Sequence, residues 1–415
     1  MRSTEGGRLR NAAQFSLCIN RLFSSGQKHP TQNQLFTYLG NISMILAMVS
    51  FKKHIAELEP YLPPSHRTSD RKKKRLYMNE NLFGCAPAVI SVLKNIGPDE
   101  ILYYPAGGSA ALKEAISSSI LVGTDRVVVG SGESEILKQI FHAFLSAGDK
   151  VLLCKHSWSY FPHLCKINNA KIVNFSMRMD ERHFFFDVEH IIKESKKHVP
   201  KLIVLVSPNM PTGNLLARSA LEKILRSSKR SLVLLDEAYF GFSENDSRAD
   251  AELQKLLARH DNLIICRTFS KYYGLASLRI GYALCSRKIA EYLEKSSPLF
   301  GIPFPVQLAA IRALKSKAYY HNLRRAVVAS RDTFIREVNS TTGYKAYASD
   351  ANFMLLRAGK DAPALERHLY EGGFIVRNCA PYDLHDFIRI TVAPADVMKA
   401  LLRAIRNFRR PLKSA

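Results

Sequence analysis

The stretch TFSKYYGLASLRIGY at residues 268–282 places a lysine, two hydroxyl side chains and an arginine at the end of an apolar run. The run before it covers residues 263–268, and a second apolar run covers 279–284. Apolar runs of this length are typical of buried strands. Ligands of open α/β sheets bind beyond the carboxyl ends of the strands. The stretch therefore places Thr268, Ser270, Lys271 and Arg279 at the sheet edge where a ligand would bind, although a surface lysine is the simpler interpretation of Lys271 taken alone.

Similar short apolar runs recur upstream and alternate with stretches that have the length and spacing of amphipathic helices. Runs that are apolar on both faces indicate buried, mainly parallel strands. We therefore predict an α/β protein with a mostly parallel sheet of seven strands. The predicted strands cover residues 126–129, 150–154, 171–175, 202–207, 232–236, 263–268 and 279–284.

The pattern changes after Pro303 and Pro305, where a long helical stretch leads to short strands near 352–356, 374–377 and 388–392. This change predicts a second, smaller α+β domain. The predicted organisation has an N-terminal extension outside the fold at 1–50, an arm that joins the small domain at 51–85, a large domain at 86–304 and the small domain at 305–415.

The first 47 residues are basic, rich in serine and poor in acids, with Glu5 as the single acidic residue. Such a segment is typical of an organelle transit peptide, or it lies upstream of a true start at Met48. We favour the second interpretation, because globular patterning begins directly after Met48. It predicts a cytoplasmic protein, with organelle targeting as the alternative.

The formal net charge is +24, but residues 1–75 contribute +9 of it and residues 403–415 contribute +5. Charge runs at chain ends are usually solvated, so we predict no nucleic-acid partner. No apolar run reaches the roughly 20 residues of a membrane-spanning helix, so we predict no membrane association. The seven cysteines are widely spaced without a CxxC pair, which favours reduced thiols and no metal site.

The other predicted strands also end in chemically useful side chains. A glycine-rich turn at 130–134 precedes a helix, Trp158 follows the second strand, and Asp236 and Tyr239 follow the fifth. Each feature alone has a simpler interpretation, such as a strand-to-helix turn or core packing. Together with Lys271, they provide an amine, a carboxylate, a phenol, an aromatic face and an anion cradle. Pyridoxal phosphate requires this combination of groups.

Three motifs follow one another along the chain: SPNMPTG at 207–213, DEAY at 236–239 and TFSKYYGLASLRIGY at 268–282. In this order and spacing, residues 51–408 resemble the fold-type I, class I/II aminotransferases, most closely the histidinol-phosphate aminotransferase branch. The resemblance implies a pyridoxal-phosphate-dependent transaminase of amino-acid biosynthesis. Its substrates would be a small amino acid or amine, with or without a phosphate, and a 2-oxo acid.

The resemblance assigns catalytic roles to residues near the cofactor ring. Lys271 would attach the cofactor and shuttle the α-proton, Asp236 would pair with the ring nitrogen, and Tyr239 would donate to the ring O3′. Trp158 would stack on the ring. Met210 stands where the family has an asparagine that also bonds O3′.

The resemblance assigns the cofactor phosphate and the substrate to further residues. Tyr104 matches a tyrosine that family members lend to the neighbouring subunit, which implies a homodimer. Arg377 and Arg389, predicted to end short strands, would bind substrate anions, and Asn81 belongs to a segment that closes over the site. The phosphate would be held by Ser131, Gly132, Glu133, Ser134, Thr268, Ser270 and Arg279.

Two alternatives remain open from the sequence. Threonine-phosphate decarboxylases are very similar, and VRNCAPYDL at 376–384 resembles their C-terminal segment equally well. A non-catalytic cofactor-binding regulator is the other alternative, which the replacement of the family asparagine by Met210 allows.

Overall fold

The computed structural model describes residues 52–61, 72–105, 107–244 and 249–408. The strands in these residues are β1 (Lys74–Arg75), β2 (Val127–Gly130), β3 (Lys150–Cys154), β4 (Lys171–Phe175), β5 (Arg178–Met179), β6 (Phe184–Phe185), β7 (Leu202–Val206), β8 (Leu232–Asp236), β9 (Leu263–Thr268), β10 (Gly281–Cys285), β11 (Lys345–Ala346), β12 (Phe353–Arg357), β13 (Phe374–Ile375), β14 (Arg377–Asn378) and β15 (Phe387–Thr391). The main sheet has seven strands in the order β2-β10-β9-β8-β7-β3-β4. A smaller sheet has the order β11-β12-β15-β14, and β1 pairs with β13 and β5 with β6.

Helices cover both faces of the main sheet. The helices are α1 (Lys53–Ala56), α2 (Pro87–Lys94), α3 (Asp99–Leu102), α4 (Ala110–Ile120), α5 (Glu133–Phe144), α6 (Tyr160–Ile167), α7 (Val188–His198), α8 (Arg218–Ser227), α9 (Ala249–Arg259), α10 (Arg287–Glu294), α11 (Phe304–Lys315), α12 (Lys317–Thr341), α13 (Ala362–Glu371) and α14 (Ala395–Phe408). Helices α5, α6 and α10 pack on one face of the main sheet, and α4, α7, α8, α9 and α11 pack on the other.

The interior strand β7 shows why the runs are apolar on both faces. All five of its residues are buried, and they alternate between the two core clusters. Val204 packs into one cluster and Leu205 into the other. A strand covered by helices on both sides needs apolar side chains at every position.

The predicted α/β class with a mostly parallel seven-stranded sheet is confirmed. Strands β3, β4, β7, β8 and β9 pair in parallel, while β10 runs antiparallel to both β2 and β9. The sharp return between β9 and β10 carries the quoted lysine stretch. Because β9 and β10 are antiparallel neighbours, Thr268 lies opposite Gly281 at the sheet edge.

The contact pattern divides the chain into one unit at residues 1–57 and a second at 58–415. Helix α1 belongs to the first unit, and every other element belongs to the second. The predicted division into large and small domains stays a prediction. Strand β1 nevertheless pairs in parallel with β13, which brings residues 74–75 beside 374–375. The predicted extension at 1–50 lies outside the described residues.

Candidate active site

The carboxyl edge of the main sheet opens into a cavity of ≈ 400 Å³. Strand β8 ends at this cavity with Asp236, β9 ends there with Thr268, and helix α5 begins there with Glu133. The structure thus brings together most of the side chains that the sequence predicted. The predicted residues that line it are Glu133, Ser134, Trp158, Met210, Asp236, Tyr239, Thr268, Ser270, Lys271, Arg279, Arg377 and Arg389.

Lys271 extends its amine into this cavity from the turn after β9. The Nζ donates a hydrogen bond to the carbonyl oxygen of Met78 at 2.8 Å. Burial, followed by the nearby Arg389 cation, lowers the pKa of Lys271 to about 8, while Glu80 and Glu133 act in the opposite direction. A large share of the amine is therefore neutral near pH 8, and only the neutral amine can act as a nucleophile.

Asp236 ends β8 with its side chain only 2% exposed. Its Oδ1 accepts a hydrogen bond from the Ala238 backbone N–H at 2.9 Å. Burial raises the pKa of Asp236 to about 6, and the contacts with Ala238 N–H and the Glu133 side chain limit that rise. Asp236 is therefore an anion at neutral pH, inside a cavity that provides little solvent to stabilise it.

Tyr239 presents a phenol that keeps its proton. Burial raises the pKa of Tyr239 well above its ordinary value. The Tyr239 oxygen accepts a hydrogen bond from Asn79 Nδ2 at 2.9 Å. Since Asn79 already donates to this oxygen, the phenol proton is available to an acceptor in the cavity.

Arg279 and a group of hydroxyls form an anion-binding corner at the start of helix α5. The guanidinium lies 3.4 Å from both the Ser134 and the Ser270 Oγ atoms. Gly132 has a φ of +81°, and a Cβ at this position would lie 2.4 Å from Arg279 Nη2. Glycine is thus required both for the backbone conformation and for the approach of the guanidinium. A helix N-terminus beside an arginine favours a phosphate.

Arg389 and Arg377 face each other across two antiparallel strands of the smaller sheet. They are paired residues in the β14–β15 ladder, and both line the cavity. Arg389 is 4% exposed, and it donates to the Tyr77 carbonyl at 2.5 Å and to the Met210 sulfur at 2.7 Å. Its Nε has no partner among the described residues. Two buried or half-buried cations beside an open cavity suit an anionic ligand.

The prediction that both arginines end short strands was wrong. Arg389 lies in the middle of β15, and Arg377 begins β14. The two arginines lie opposite each other because the short strand β14 pairs antiparallel with the centre of β15. The register between two strands cannot be predicted from sequence spacing alone.

Four predicted site residues do not line this cavity. The Ser131 N–H bonds Glu135 Oε2 at 2.5 Å, and Gly132 contributes only its backbone beside Arg279. Asn81 uses its side chain to bond the Tyr272 carbonyl and the Phe83 N–H. Tyr104 is 78% exposed and stacks on Phe300 with ring centroids 4.4 Å apart.

Trp158 belongs both to the protein core and to the cavity wall. It is half-buried, packs against both core clusters and contacts Tyr160 and Phe161 at centroid distances of 4.9 and 5.8 Å. It also lines the cavity. Its predicted stacking on the cofactor ring stays a prediction.

Several cavity residues were not selected from the sequence. Asn79 has a φ of +54° and is buried, and its side chain donates a hydrogen bond to the Tyr239 oxygen. The sequence offered a signal for Asn79 and Glu80, because both belong with Asn81 to the NEN motif that the resemblance assigns to the closing segment. Tyr61 and Tyr382 gave no comparable signal before the chain was folded.

Pyridoxal phosphate fits this set of side chains. The Arg279 corner matches its phosphate, Asp236 matches a ring nitrogen that carries a proton, and Lys271 supplies the amine. The unpartnered Arg389 Nε remains for a substrate anion.

Comparison with known proteins agrees with this chemistry. Residues 71–405 match the family described as aminotransferase class I and II. The chain is 36% identical over 309 residues to histidinol-phosphate aminotransferase 2 of Archaeoglobus fulgidus, covering 74% of this chain and 84% of that one. It is 32% identical to the histidinol-phosphate aminotransferase of Chromohalobacter salexigens, covering 85% of this chain and 96% of that one.

A solved structure has the same fold over most of its length. The histidinol-phosphate aminotransferase of Sinorhizobium meliloti, in complex with pyridoxal-5'-phosphate, superposes with a TM-score of 0.77 and 26% identity, covering 86% of this chain and 96% of that one. The predicted family, cofactor and enzyme class are thereby confirmed. This chain belongs to the class I and II aminotransferases and is a pyridoxal-phosphate-dependent transaminase.

Proposed function

We propose that this enzyme moves an amino group from histidinol phosphate to a 2-oxo acid. The observation that carries the proposal is the pairing of Arg377 with Arg389 across β14 and β15 at the cavity. Two guanidinium groups suit a phosphate better than a neutral substrate group. The names of the relatives at 36% and 32% identity support the same donor.

The side chains of this cavity divide the work of amino transfer. Bound pyridoxal phosphate supplies an aldehyde that accepts the amino group and a ring that withdraws electrons. Lys271 takes and returns the substrate α-proton, because its pKa lies near neutral pH. Asp236 keeps a proton on the ring nitrogen, and Tyr239 donates its phenol proton to the ring oxygen. Trp158 packs on the ring and excludes water.

A donor panel tests the proposed substrate. Histidinol phosphate, histidinol, phosphothreonine and common amino acids are each supplied with 2-oxoglutarate, and glutamate is measured. Histidinol phosphate is expected to give the highest kcat/KM, and histidinol a value lower by about one to two factors of ten, since a charged hydrogen bond contributes roughly 1.5–3 kcal/mol. Equal values for the two donors would contradict phosphate recognition.

Alanine substitution of either arginine should weaken use of the phosphorylated donor. For Arg377→Ala and for Arg389→Ala, kcat/KM for histidinol phosphate is expected to fall roughly 10- to 100-fold, the range of one lost charged hydrogen bond. Arg389→Lys is the matched control, because it keeps the charge and loses the planar fork. Cofactor content, read from visible absorbance, should stay constant. An unchanged preference for phosphate in both alanine variants would exclude these residues from recognition.

Met210 should leave the ring O3′ with one donor fewer than an asparagine would provide. A thioether accepts hydrogen bonds only weakly and donates none, and here the Met210 sulfur faces Arg389 Nη1. Asn209 does not substitute, because its amide bonds the His156 carbonyl and Thr212. In Met210→Asn, the pKa read from the visible absorbance of the bound cofactor is expected to fall by roughly one to two units. An unchanged pKa would mean that Tyr239 alone satisfies O3′.

The working unit is proposed to be a homodimer. Large apolar side chains are exposed at two places in the sequence. The first is the end of helix α3 and the residues after it, at 101–104, and the second is residues 299–300. Leu299 is 83% exposed and Phe300 stacks on Tyr104. Contiguous exposed apolar surface is typical of subunit interfaces. Light scattering should give twice the mass of one chain, and Leu299→Asp should shift it toward the monomer with loss of activity. A fully active monomer would contradict this assembly.

A cytoplasmic location is also proposed. Among the described residues the cysteines are free, which suits a reducing compartment. No helix in the described part of the chain is long and apolar enough to cross a membrane.

A further inference from the structure

Glu133 occupies the cavity in a way that its predicted phosphate role does not explain. It is the first residue of helix α5, and its side chain is 6% exposed. The carboxyl group lies within hydrogen-bonding range of the Asp236 carboxyl group. Its Oε1 has no hydrogen-bond partner among the described residues. The Glu133 side chain therefore contacts Asp236, the residue proposed to face the ring nitrogen of the cofactor.

Two buried carboxyl groups in contact cannot both be ionised at neutral pH, so one of the two carries a proton that it shares with the other in a hydrogen bond. The backbone N–H of Ala238 stabilises the charge on Asp236, whereas Glu133 Oε1 receives no donor. A neutral carboxyl oxygen tolerates a missing partner better than a carboxylate does. The proton therefore belongs on Glu133, which donates it to Asp236.

The charges around this pair agree with that location of the proton. Burial and the Asp236 charge raise the pKa of Glu133 well above its usual range, and Lys271 opposes the rise. Glu237 adds to the rise, but it is itself held by Arg218 at 2.6 Å and Arg267 at 2.8 Å and stays ionised. The buried Cys266 thiol also faces the pair, and burial raises its pKa, so it remains neutral.

We propose that Glu133 is a neutral acid that donates its proton to the Asp236 carboxylate and thereby keeps Asp236 ionised for the ring nitrogen of the cofactor. This role rests on the proposed use of Asp236 at that nitrogen. Glu133 is a positioning residue in this account, because it acts through Asp236. By stabilising the Asp236 carboxylate, the donated hydrogen bond lowers the pH at which Asp236 takes up a proton. It thereby sets the lowest pH at which Asp236 can pair as an anion with the ring nitrogen.

The proposed role of Glu133 can be tested through the affinity of the cofactor-free protein for pyridoxal phosphate, without measuring enzyme activity. The dissociation constant of pyridoxal phosphate is measured by absorbance from pH 5.5 to 8.5. In the wild type, affinity is expected to fall as Asp236 takes up a proton near pH 6. In Glu133→Ala, the midpoint should rise by about one pH unit, with roughly tenfold weaker binding at pH 6, because a charge-assisted hydrogen bond is lost. Glu133→Gln should restore the midpoint, since an amide also donates.

Glu133→Ala and Glu133→Gln both remove the carboxyl group that acts on the pKa of Lys271. The difference between these two variants therefore isolates the hydrogen bond donated to Asp236. Lys138→Ala, an exposed change on the same helix, is the control and should leave the midpoint unmoved. Should Glu133→Ala fail to fold, infrared spectra of unloaded wild type at pH 7 should still show a protonated carboxyl band that Glu133→Gln lacks.

Four results would overturn the inference. The first three are an unmoved midpoint in Glu133→Ala, a shift in Glu133→Gln as large as in the alanine variant, and no difference in the infrared band. The fourth is tighter binding by Glu133→Ala at every pH, which would show that the side chain merely occupies space. A wild type that binds no cofactor at any pH would overturn the proposed function itself, which separates the two failures.

Discussion

Replacing Lys271 with alanine is expected to lower the rate of amino transfer by about 10⁴-fold or more. The variant loses both the amine that attaches the cofactor and the base that moves the substrate proton, and positioned acid–base catalysis alone contributes up to about 10⁴. The amine lies in the cavity with a pKa lowered to about 8, and among the residues that the structure describes no second lysine lines this cavity.

The measurement combines single-turnover kinetics with borohydride reduction and peptide mapping. Reduction should fix the cofactor on the peptide that contains Lys271 in wild type, and on no peptide in the variant. Lys288→Ala is the matched control, since Lys288 is exposed on helix α10. Trapping on another lysine, or an alanine variant with near-normal turnover, would contradict the assignment.

Replacing Asp236 with asparagine should lower kcat by roughly 10²- to 10³-fold, the usual effect of removing one preorganised electrostatic partner of a reacting group. Asparagine has nearly the same shape and can still accept from the Ala238 N–H. It carries no negative charge, so the ring nitrogen loses the partner that keeps it protonated. Cofactor attachment to Lys271 should persist, because Asp236 does not bond the lysine.

The same variant should gain stability in the absence of cofactor. The folded-state pKa of Asp236 is about 6, above its ordinary 3.8. The folded state therefore binds this proton more tightly than the unfolded chain, so stability falls as pH rises from about 4 to 6 and remains lower above that window. Unloaded Asp236→Asn should be more stable than wild type at pH 8 by about 1–3 kcal/mol, measured by urea denaturation. Lower stability together with unchanged kcat would reverse both conclusions.

Sequence reasoning predicted the fold and the sheet-edge chemistry because both depend on local patterns. Apolar runs report buried strands, and the residues directly after β8 and β9 must lie at the carboxyl edge. Asp236 and Lys271 could therefore be selected without a structure. Their burial, and the resulting pKa values near neutrality, depend on what packs around them and required the folded chain.

The residues that the sequence placed less well depend on long-range register or on local backbone choices. Arg389 meets Arg377 through pairing between two strands, which no spacing rule reports. Asn79 lines the cavity and has a left-handed backbone conformation, whereas the Asn81 side chain bonds the Tyr272 carbonyl. Glu133 was selected for its backbone in a phosphate-binding turn, but the fold directs its side chain to Asp236.

The most direct test of the central claim is the stoichiometry of a full reaction with histidinol phosphate and 2-oxoglutarate. Glutamate is measured while the loss of donor is followed, and carbon dioxide is measured in a parallel reaction with phosphothreonine, because histidinol phosphate has no carboxyl group to lose. The account predicts one glutamate formed for each histidinol phosphate consumed and no carbon dioxide from phosphothreonine. Carbon dioxide from phosphothreonine, with no glutamate from histidinol phosphate, would instead indicate a decarboxylase, and the absence of any reaction or spectral change would contradict a catalytic role for the cavity.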